Sequence, residues 1–353
     1  MKLFADVVGH GAVIDLLAAE AMHPAQTYLF VGPSGVGKAT VARRFAAQLL
    51  CGDDASGIAR VLSGVHPDLI LVEPEGVTAL TVEQARSTVA RAVLAPTEAQ
   101  RKVFLFEEAG AMNDEAANTL LKTLEEPTDT TVFILLAESP DDLPPTVASR
   151  SRTVLFSRVP EEEITGALVS RGVDQSQADH AAITSGGRPG IALLLATRPD
   201  VAAFRSAWLG VATRLDPEPA TPFLLAGELA GAVEPLLQGL SERQEAETAA
   251  TDLEGVAARR RQERHDRERK RAASALHVAG LEILASWYRD AAAAQHGGSI
   301  RNRDASGADL ADVSARDAVR RARRVLATVE SLEANQRAEL AFAALFSELV
   351  DAD

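Results

Sequence analysis

The feature that most constrains this chain is the glycine-rich stretch VGPSGVGKAT at residues 31–40. It follows an apolar run (27–31) and precedes a helical pattern (38–50), which is the strand–loop–helix setting of a phosphate-binding loop. The glycines of such a loop let successive backbone N–H groups point at an anion, and the following helix adds its positive end. Lys38 would reach the β- and γ-phosphates of a nucleotide. The residues predicted to line this loop are Gly32, Pro33, Ser34, Gly35, Val36, Gly37, Lys38, Ala39 and Thr40.

One position departs from the phosphate-loop pattern. Ala39 stands where a Ser or Thr hydroxyl normally binds Mg²⁺. Thr40 lies about 100° further around the helix, so its hydroxyl should point elsewhere. These residues are compatible with nucleotide binding, but they do not favour magnesium-assisted hydrolysis. The competing interpretation is a glycine-rich turn that binds nothing.

A second motif is the segment VFLFEEAG (103–110), an apolar strand that ends in two carboxylates, Glu107 and Glu108. In nucleotide hydrolases the first carboxylate is usually an Asp that holds the magnesium, and the second is a Glu that orients water. Here Glu107 replaces the Asp, and its longer side chain places the carboxylate elsewhere. The alternative interpretation is a charged strand terminus without a role.

The first half of the chain alternates apolar runs with helical patterns, and the pattern becomes wholly helical after residue 157. Continuous apolar strands between helices predict a parallel sheet that is covered on both faces. Thr81 and Asn113 are the predicted N-caps of two helices. The predicted strands are 27–31, 68–72, 103–107, 131–137 and 153–156, and the predicted helices between them are 38–50, 81–93 and 113–126.

Composition excludes several classes of protein. The chain has 353 residues and a net charge of −14, which opposes a free-standing nucleic-acid binder. Cys51 is the only cysteine, so neither an internal disulfide nor a Cys-based zinc site is expected. The first residues show no apolar signal core, and no run of 18 apolar residues predicts a membrane span. We therefore expect a cytoplasmic protein that has no membrane partner.

Several further stretches resemble the AAA+ ATPases of the bacterial clamp loader. They include a helix after the acidic strand, a sensor-1 strand with a Ser-Arg-Cys-like motif, the stretch that usually follows a zinc module, a sensor-2 turn and two collar helices. In that order they are NDEAANTLLKTLEEP (113–127), LLAESPDDLPPTVASRSRTVLF (135–156), GVHPDLILVEPEG (64–76), SGGRPGIAL (185–193), LEILASWYRD (281–290) and LEANQRAELAFAALF (332–346).

The resemblance implies an α/β AAA+ domain with a five-stranded parallel sheet (1–157), a small helical lid (158–200) and an all-α collar domain (201–353). It implies a stator subunit that helps to load a sliding clamp onto primed DNA, as an accessory to a DNA-directed DNA polymerase. The implied partners are the delta and gamma or tau subunits, and the implied ligand is ATP or ADP. The alternative is an autonomous AAA+ ATPase that hydrolyses ATP at its own loop.

The chain departs from the family pattern at the zinc module and at both sensor positions, and the sensor departures indicate lost hydrolysis. The four zinc-binding cysteines of many relatives are missing, so no zinc is expected. Glu138 and Ser139 occupy the neighbourhood of the sensor-1 residue, where a glutamate would repel phosphate. The sensor-2 arginine aligns with Gly190, and Arg188 lies two residues away.

Arg150 is the exception among these departures. By the resemblance, the pair Ser149–Arg150 matches the motif that projects toward the nucleotide of the next subunit, which makes Arg150 an arginine finger acting in trans. The planar, always charged guanidinium suits phosphate oxygens. The alternative is a surface arginine that bridges to a carboxylate.

A basic run, RRRQERHDRERKR (259–271), also needs an interpretation. Its interspersed acids and its lack of aromatic residues speak against a DNA contact. A solvated helix face and a surface that docks onto an acidic neighbour are both left open.

Overall fold

The computed structural model describes residues 2–74, 80–196, 198, 200–250, 255–302, 305, 307–333 and 336–350. Its internal contacts divide the chain into two compact units, Met1–Glu163 and Ile164–Asp353. The finer predicted division of the helical half at residue 200 stays a prediction.

The first unit holds a five-stranded, wholly parallel sheet in the order β2-β3-β4-β1-β5. The predicted fold class is therefore confirmed, with strand ends that agree to within one residue of the sequence pattern. The strands are β1 Thr27–Val31, β2 Leu69–Leu71, β3 Lys102–Phe106, β4 Thr131–Ala137 and β5 Arg152–Leu155.

Helices cover both faces of this sheet, because alternate residues of each strand enter different cores. Tyr28 and Phe30 of β1 pack with Phe45 on one face, and Leu29 packs with Leu120 on the other. The helices of this part are α1 Gly11–Glu20, α2 Lys38–Cys51, α3 Ala55–Leu62, α4 Val82–Ala92, α5 Asp114–Glu125 and α6 Pro145–Ala148.

Both predicted helix caps are confirmed. The Thr81 side chain accepts a hydrogen bond from the N–H of Gln84, whose own side chain returns to the backbone of Thr81. The Asn113 side chain accepts from the N–H of Ala116 at 2.8 Å. These bonds satisfy N–H groups that have no partner inside a first helical turn.

All regular secondary structure among the described residues of the second unit is helical. Its longest helix, α14 (Gly255–Ala294), buries one apolar face that includes Leu276, Ile283, Leu284 and Trp287. The remaining helices are α7 Glu161–Val169, α8 Gln175–Ser185, α9 Pro189–Leu195, α10 Val201–Leu209, α11 Val211–Arg214, α12 Thr221–Gly231, α13 Glu234–Ala250, α14 Gly255–Ala294, α15 Gly307–Ala311, α16 Ala315–Glu333 and α17 Ala338–Val350.

Among the described residues, one helical stretch is long and apolar enough to cross a membrane. It is Thr221–Ala246, with a mean hydropathy of 1.2 and 39% of its apolar window buried. Core helices of soluble proteins pass the same test, so the stretch is weak evidence for a membrane span.

The parallel sheet gives the first unit two chemically different edges. The carboxyl ends of β1, β3 and β4 bring the phosphate loop, Glu107 and Glu138 to one edge. The amino ends of β1 and β5 bring Thr27 and Arg152 to the opposite edge.

Candidate functional site

The loop between β1 and α2 has the backbone geometry that its glycines allow. Gly35 and Gly37 have φ values of 79° and 109°, in the region that favours glycine. A Cβ on Gly32 would lie 2.1 Å from the carbonyl oxygen of Phe156, so no larger residue fits there. The chain thus curls into the first turn of α2, whose positive end faces the loop.

Lys38 is turned onto its own loop. Its Nζ atom donates to the carbonyl oxygen of Pro33 at 2.9 Å and to that of Gly32. Burial lowers the pKa of Lys38, and the carboxylates of Glu138 and Asp142 partly offset this effect. A phosphate would have to replace these carbonyl contacts.

His10 contacts the phosphate loop through a side-chain hydrogen bond. The sequence patterns did not predict this role. The Nε2 atom of His10 lies 2.8 Å from the carbonyl oxygen of Val36 and must donate, since a carbonyl only accepts. Its ring packs edge-on against Phe156 with ring centroids 4.9 Å apart. The left-handed conformation of His10, with φ of 61°, directs the ring there; no short motif signals this.

The end of β3 carries an ion pair where a magnesium ligand is expected. Oε1 of Glu107 lies 2.6 Å from Nε of Arg43, and the Glu107 side chain is 10% exposed. Arg43 stands one helical turn after Ala39, on the same face of α2. Ala39 offers no ligand and Glu107 is engaged by a guanidinium, so these residues do not fit a magnesium ion in its usual place. Glu108 follows Glu107 and is half-buried.

The sensor-1 neighbourhood forms a short capped turn after β4. The Ser139 hydroxyl accepts from the N–H of Asp141 at 3.2 Å. The Asp142 carboxylate accepts from the N–H groups of Glu138 and Ser139 at 2.9 and 2.8 Å. Ser139 is thus used as a cap, and two carboxylates stand close to Lys38.

Arg150 lies at the opposite edge of the sheet from Lys38. Its Nε atom lies 2.8 Å from Oε1 of Glu125, and its Nη1 atom donates to the carbonyl oxygen of Thr146 at 3.0 Å. The Ser149 hydroxyl donates to the same carbonyl at 3.3 Å. A five-residue strand such as β1 spans roughly 16 Å, so Arg150 is too far from the loop of its own chain to contact a phosphate there.

The sensor-2 region belongs to the second unit. Gly190 is exposed in α9 and supplies no side chain. Arg188 is 3% exposed and donates to both carboxylate oxygens of Glu282 at 2.8 and 2.9 Å. Arg188 therefore joins α9 to α14 as a structural group.

The region of the missing zinc module is organised by hydrogen bonds. The buried carboxylate of Asp68 accepts from the N–H groups of Thr97, Glu98 and Ala99. His66 accepts from the N–H of Asp68 at 3.2 Å. Within the described part of the chain, no three His, Cys, Asp or Glu side chains come together as a metal site.

The basic run lies on α14. Arg269 pairs with Glu234 of α13 at 2.5 Å, and Glu268 accepts from Arg243 of α13 at 2.6 Å. Arg259 pairs with Glu263 one turn along the helix at 3.0 Å. Several charged side chains of the basic run thus form ion pairs within the second unit. Docking of this run onto an acidic neighbour stays a hypothesis.

Comparison with a family model and with curated proteins gives matches that each cover less than half of the chain. Residues 12–160 match a family model described as DNA polymerase III, delta subunit. A 143-residue stretch is 42% identical to DNA polymerase III subunit delta′ of Pseudomonas aeruginosa, covering 38% of this chain and 43% of the relative. A 160-residue stretch is 32% identical to subunit delta′ of Bacillus subtilis, covering 43% of this chain and 48% of the relative.

A third match is DNA polymerase III subunit tau of Escherichia coli, 35% identical over 162 residues, covering 42% of this chain and 24% of the relative. The chain thus spans about half the length of the two delta′ relatives and about a quarter of the length of the Escherichia coli tau subunit. The resemblance predicted from the motifs is confirmed for this part of the chain.

Proposed function

We propose that this chain is a delta-prime-type subunit of the DNA polymerase III clamp loader that keeps the nucleotide-binding fold and has lost efficient ATP hydrolysis. The matches to delta-prime subunits and to the family model support the class of protein. These matches cover less than half of the chain. The activity and the partners of the whole protein are therefore proposed here.

The observation that carries the loss of hydrolysis is the ion pair between Arg43 and Glu107 beside Ala39. Two of the groups that normally surround the metal are replaced here, one by a methyl group and one by a carboxylate bound to a guanidinium. Phosphoryl transfer depends on positioning and on charge neutralisation around the phosphates, so the loss of both metal contacts removes most of the catalytic effect.

The loop can still hold the phosphates of ATP or ADP. Its glycine conformations are formed, and Lys38 and the first turn of α2 supply positive charge. The carboxylates of Glu138 and Asp142 oppose a third phosphate through like-charge repulsion. Residues 32–40, with Glu107 and Glu108 at the metal side, are the proposed nucleotide site.

In the assembly this subunit acts as a stator that presents Arg150 to its neighbour. The position of Arg150 at the amino edge of the sheet supports a role in trans, because it faces away from the loop of its own chain. The proposed partners are delta and the gamma or tau subunits, and through them the sliding clamp and primed DNA, in the cytoplasm.

ATP turnover by the purified chain tests the proposal against an autonomous ATPase. Wild type and Lys38→Ala should show the same background rate. Turnover that is lost in Lys38→Ala would instead identify a working hydrolase. Co-purification from the native host should recover delta and gamma or tau subunits, and their absence at stoichiometric levels would contradict the stator role.

The same preparation tests the expectation that the chain binds no zinc. Elemental analysis after dialysis should show no stoichiometric zinc, because Cys51 is the single cysteine. One zinc per chain would overturn this expectation.

A further inference from the structure

A pocket of about 280 Å³ opens at the amino edge of the sheet, away from the phosphate loop. It lies between the start of β1, the end of α5 and the segment before β5. Thr27, Glu125, Arg150 and Arg152 line it, together with the apolar side chain of Leu124. Two arginines among the residues that line the pocket indicate a site for an anion.

Both arginines are already held by carboxylates of the same chain. Arg150 pairs with Glu125 at 2.8 Å, and Arg152 pairs with Glu20 at 2.9 Å. The two guanidinium side chains are nevertheless 41% and 52% exposed. Exposed ion pairs of this kind are weak, so a multiply charged anion can compete with the carboxylates.

The hydroxyl of Thr27 supplies an independent sign of a polar occupant. Thr27 is 4% exposed, and its Oγ1 atom has no hydrogen-bond partner among the described residues. Buried hydroxyls are normally hydrogen-bonded, since leaving one unpaired costs free energy. An anion oxygen in the pocket would accept the missing hydrogen bond.

The position of Glu125 is also unusual for a residue that only stabilises a helix. It is the last residue of α5, where the helix dipole disfavours negative charge. Arg150 compensates this charge in the isolated chain. An incoming phosphoryl group would bind the Arg150 guanidinium and displace the Glu125 carboxylate from it.

We propose that Arg152 and Thr27 share with Arg150 one pocket for a phosphoryl group, and that Glu125 is the internal counter-ion that this group displaces. Arg150 and Arg152 donate charge-assisted hydrogen bonds to the phosphoryl oxygens, and Thr27 donates a neutral one. The identification of the phosphoryl group as the end of a nucleotide carried by a neighbouring subunit rests on the proposed function. The pocket itself does not depend on it.

Binding of inorganic pyrophosphate to the isolated full chain tests the pocket by calorimetry. All variants are made in a Lys38→Ala background, so that the phosphate loop does not contribute. Arg150→Ala and Arg152→Ala should each weaken binding about tenfold, the low end for a charge-assisted hydrogen bond, and Thr27→Val about threefold, as for a neutral one.

Glu125→Gln should change the affinity in the opposite direction. Removal of the competing carboxylate should tighten pyrophosphate binding about threefold, which a purely structural role of Glu125 would not produce. Arg86→Ala is the matched control, because Arg86 is an exposed arginine of α4 outside the pocket. Thermal unfolding of each variant shows that it is folded.

Two results would overturn the proposal. One is the lack of saturable pyrophosphate binding up to about 10 mM. The other is binding that the pocket variants leave unchanged or that Arg86→Ala weakens equally.

Steady-state ATPase of a reconstituted loader then distinguishes the sources of the phosphoryl group. Turnover that Arg152→Ala lowers, as Arg150→Ala does, supports a neighbour's nucleotide. Unchanged turnover with impaired pyrophosphate binding assigns the pocket to a free phosphate and counts against the proposed finger pocket. Failure to assemble with the partners would refute the proposed function and leave the binding result standing.

Discussion

The Nε atom of Arg43 lies 2.6 Å from Oε1 of Glu107, and this ion pair joins the helix after the phosphate loop to the end of β3. The two residues stand where the metal shell of a hydrolase is expected. Arg43 also shares a helix face with Ala39. Restoring a single hydroxyl therefore leaves the guanidinium in place.

Ala39→Thr should not create an efficient ATPase. The new hydroxyl meets a Glu107 that is still bound to Arg43, and the effects of groups that act as a unit are far from additive. The measurement is ATP turnover of the isolated variant, with Ala39→Thr/Lys38→Ala as the control for contaminating activity. A rate approaching ~1 s⁻¹, the low end of typical enzymes, would show that the ion pair is harmless.

Arg150→Ala should slow ATP hydrolysis by a reconstituted loader while leaving the subunit folded. Arginine fingers contribute roughly 10³–10⁵ in rate at one site, and the other ATPase sites of the proposed assembly should keep partial turnover. Arg150→Lys should rescue poorly, because it keeps the charge and loses the planar fork. Gel filtration must show that the wild-type and variant subunits assemble equally. Unchanged turnover of the Arg150→Ala loader would mean that Arg150 is an ordinary surface arginine.

Gly280→Ala should destabilise the second unit although alanine is the better helix former. A Cβ at Gly280 would lie 2.1–2.5 Å from the ring of Trp208, and overpacking of this kind costs about 1–3 kcal/mol. Gly166→Ala is the matched control, since no atom lies within 4 Å of its added Cβ.

The control variant should gain up to about 1 kcal/mol from helix propensity alone. Thermal unfolding of both variants gives the comparison. Equal changes in the two proteins would mean that the Trp208 side chain moves aside at little cost.

Asp68→Asn should loosen the segment before β3. Burial alone would raise the pKa of Asp68, but the N–H groups of Thr97, Ala99 and Glu98 together outweigh it and lower the pKa. A carboxylate with a lowered pKa stabilises the fold fully above its ordinary pKa, near 3.8, and that stabilisation is lost as the pH falls further.

The Asp68→Asn variant should therefore be less stable by about 2 kcal/mol at neutral pH, and its deficit should shrink below pH ~4. Hydrogen exchange of the three donor amides is the measurement, with the exposed Asp53→Asn as control. Protection of these amides that is equal in wild type and Asp68→Asn at pH 7 would contradict the assigned role of the carboxylate.

Local patterns were sufficient to predict the five strands and the helices α2, α4 and α5 of the first unit, whereas α1, α3 and α6 were not predicted. β1 and β4 have the predicted bounds, and the caps Thr81 and Asn113 form as expected. These features depend on side-chain alternation and on hydrogen bonds within a few residues, so the information lies within a short window of sequence.

The sequence by itself determined the class of fold, the phosphate loop with Ala39, and the acidic end of β3. Only the tertiary structure decided that Arg43 neutralises Glu107 across 64 positions of the chain, and that Arg150 and Thr27 share a pocket. The physical reason is that such pairs depend on the strand order β2-β3-β4-β1-β5 and on helix packing. These are set by the burial of the whole apolar surface, and no short stretch encodes them.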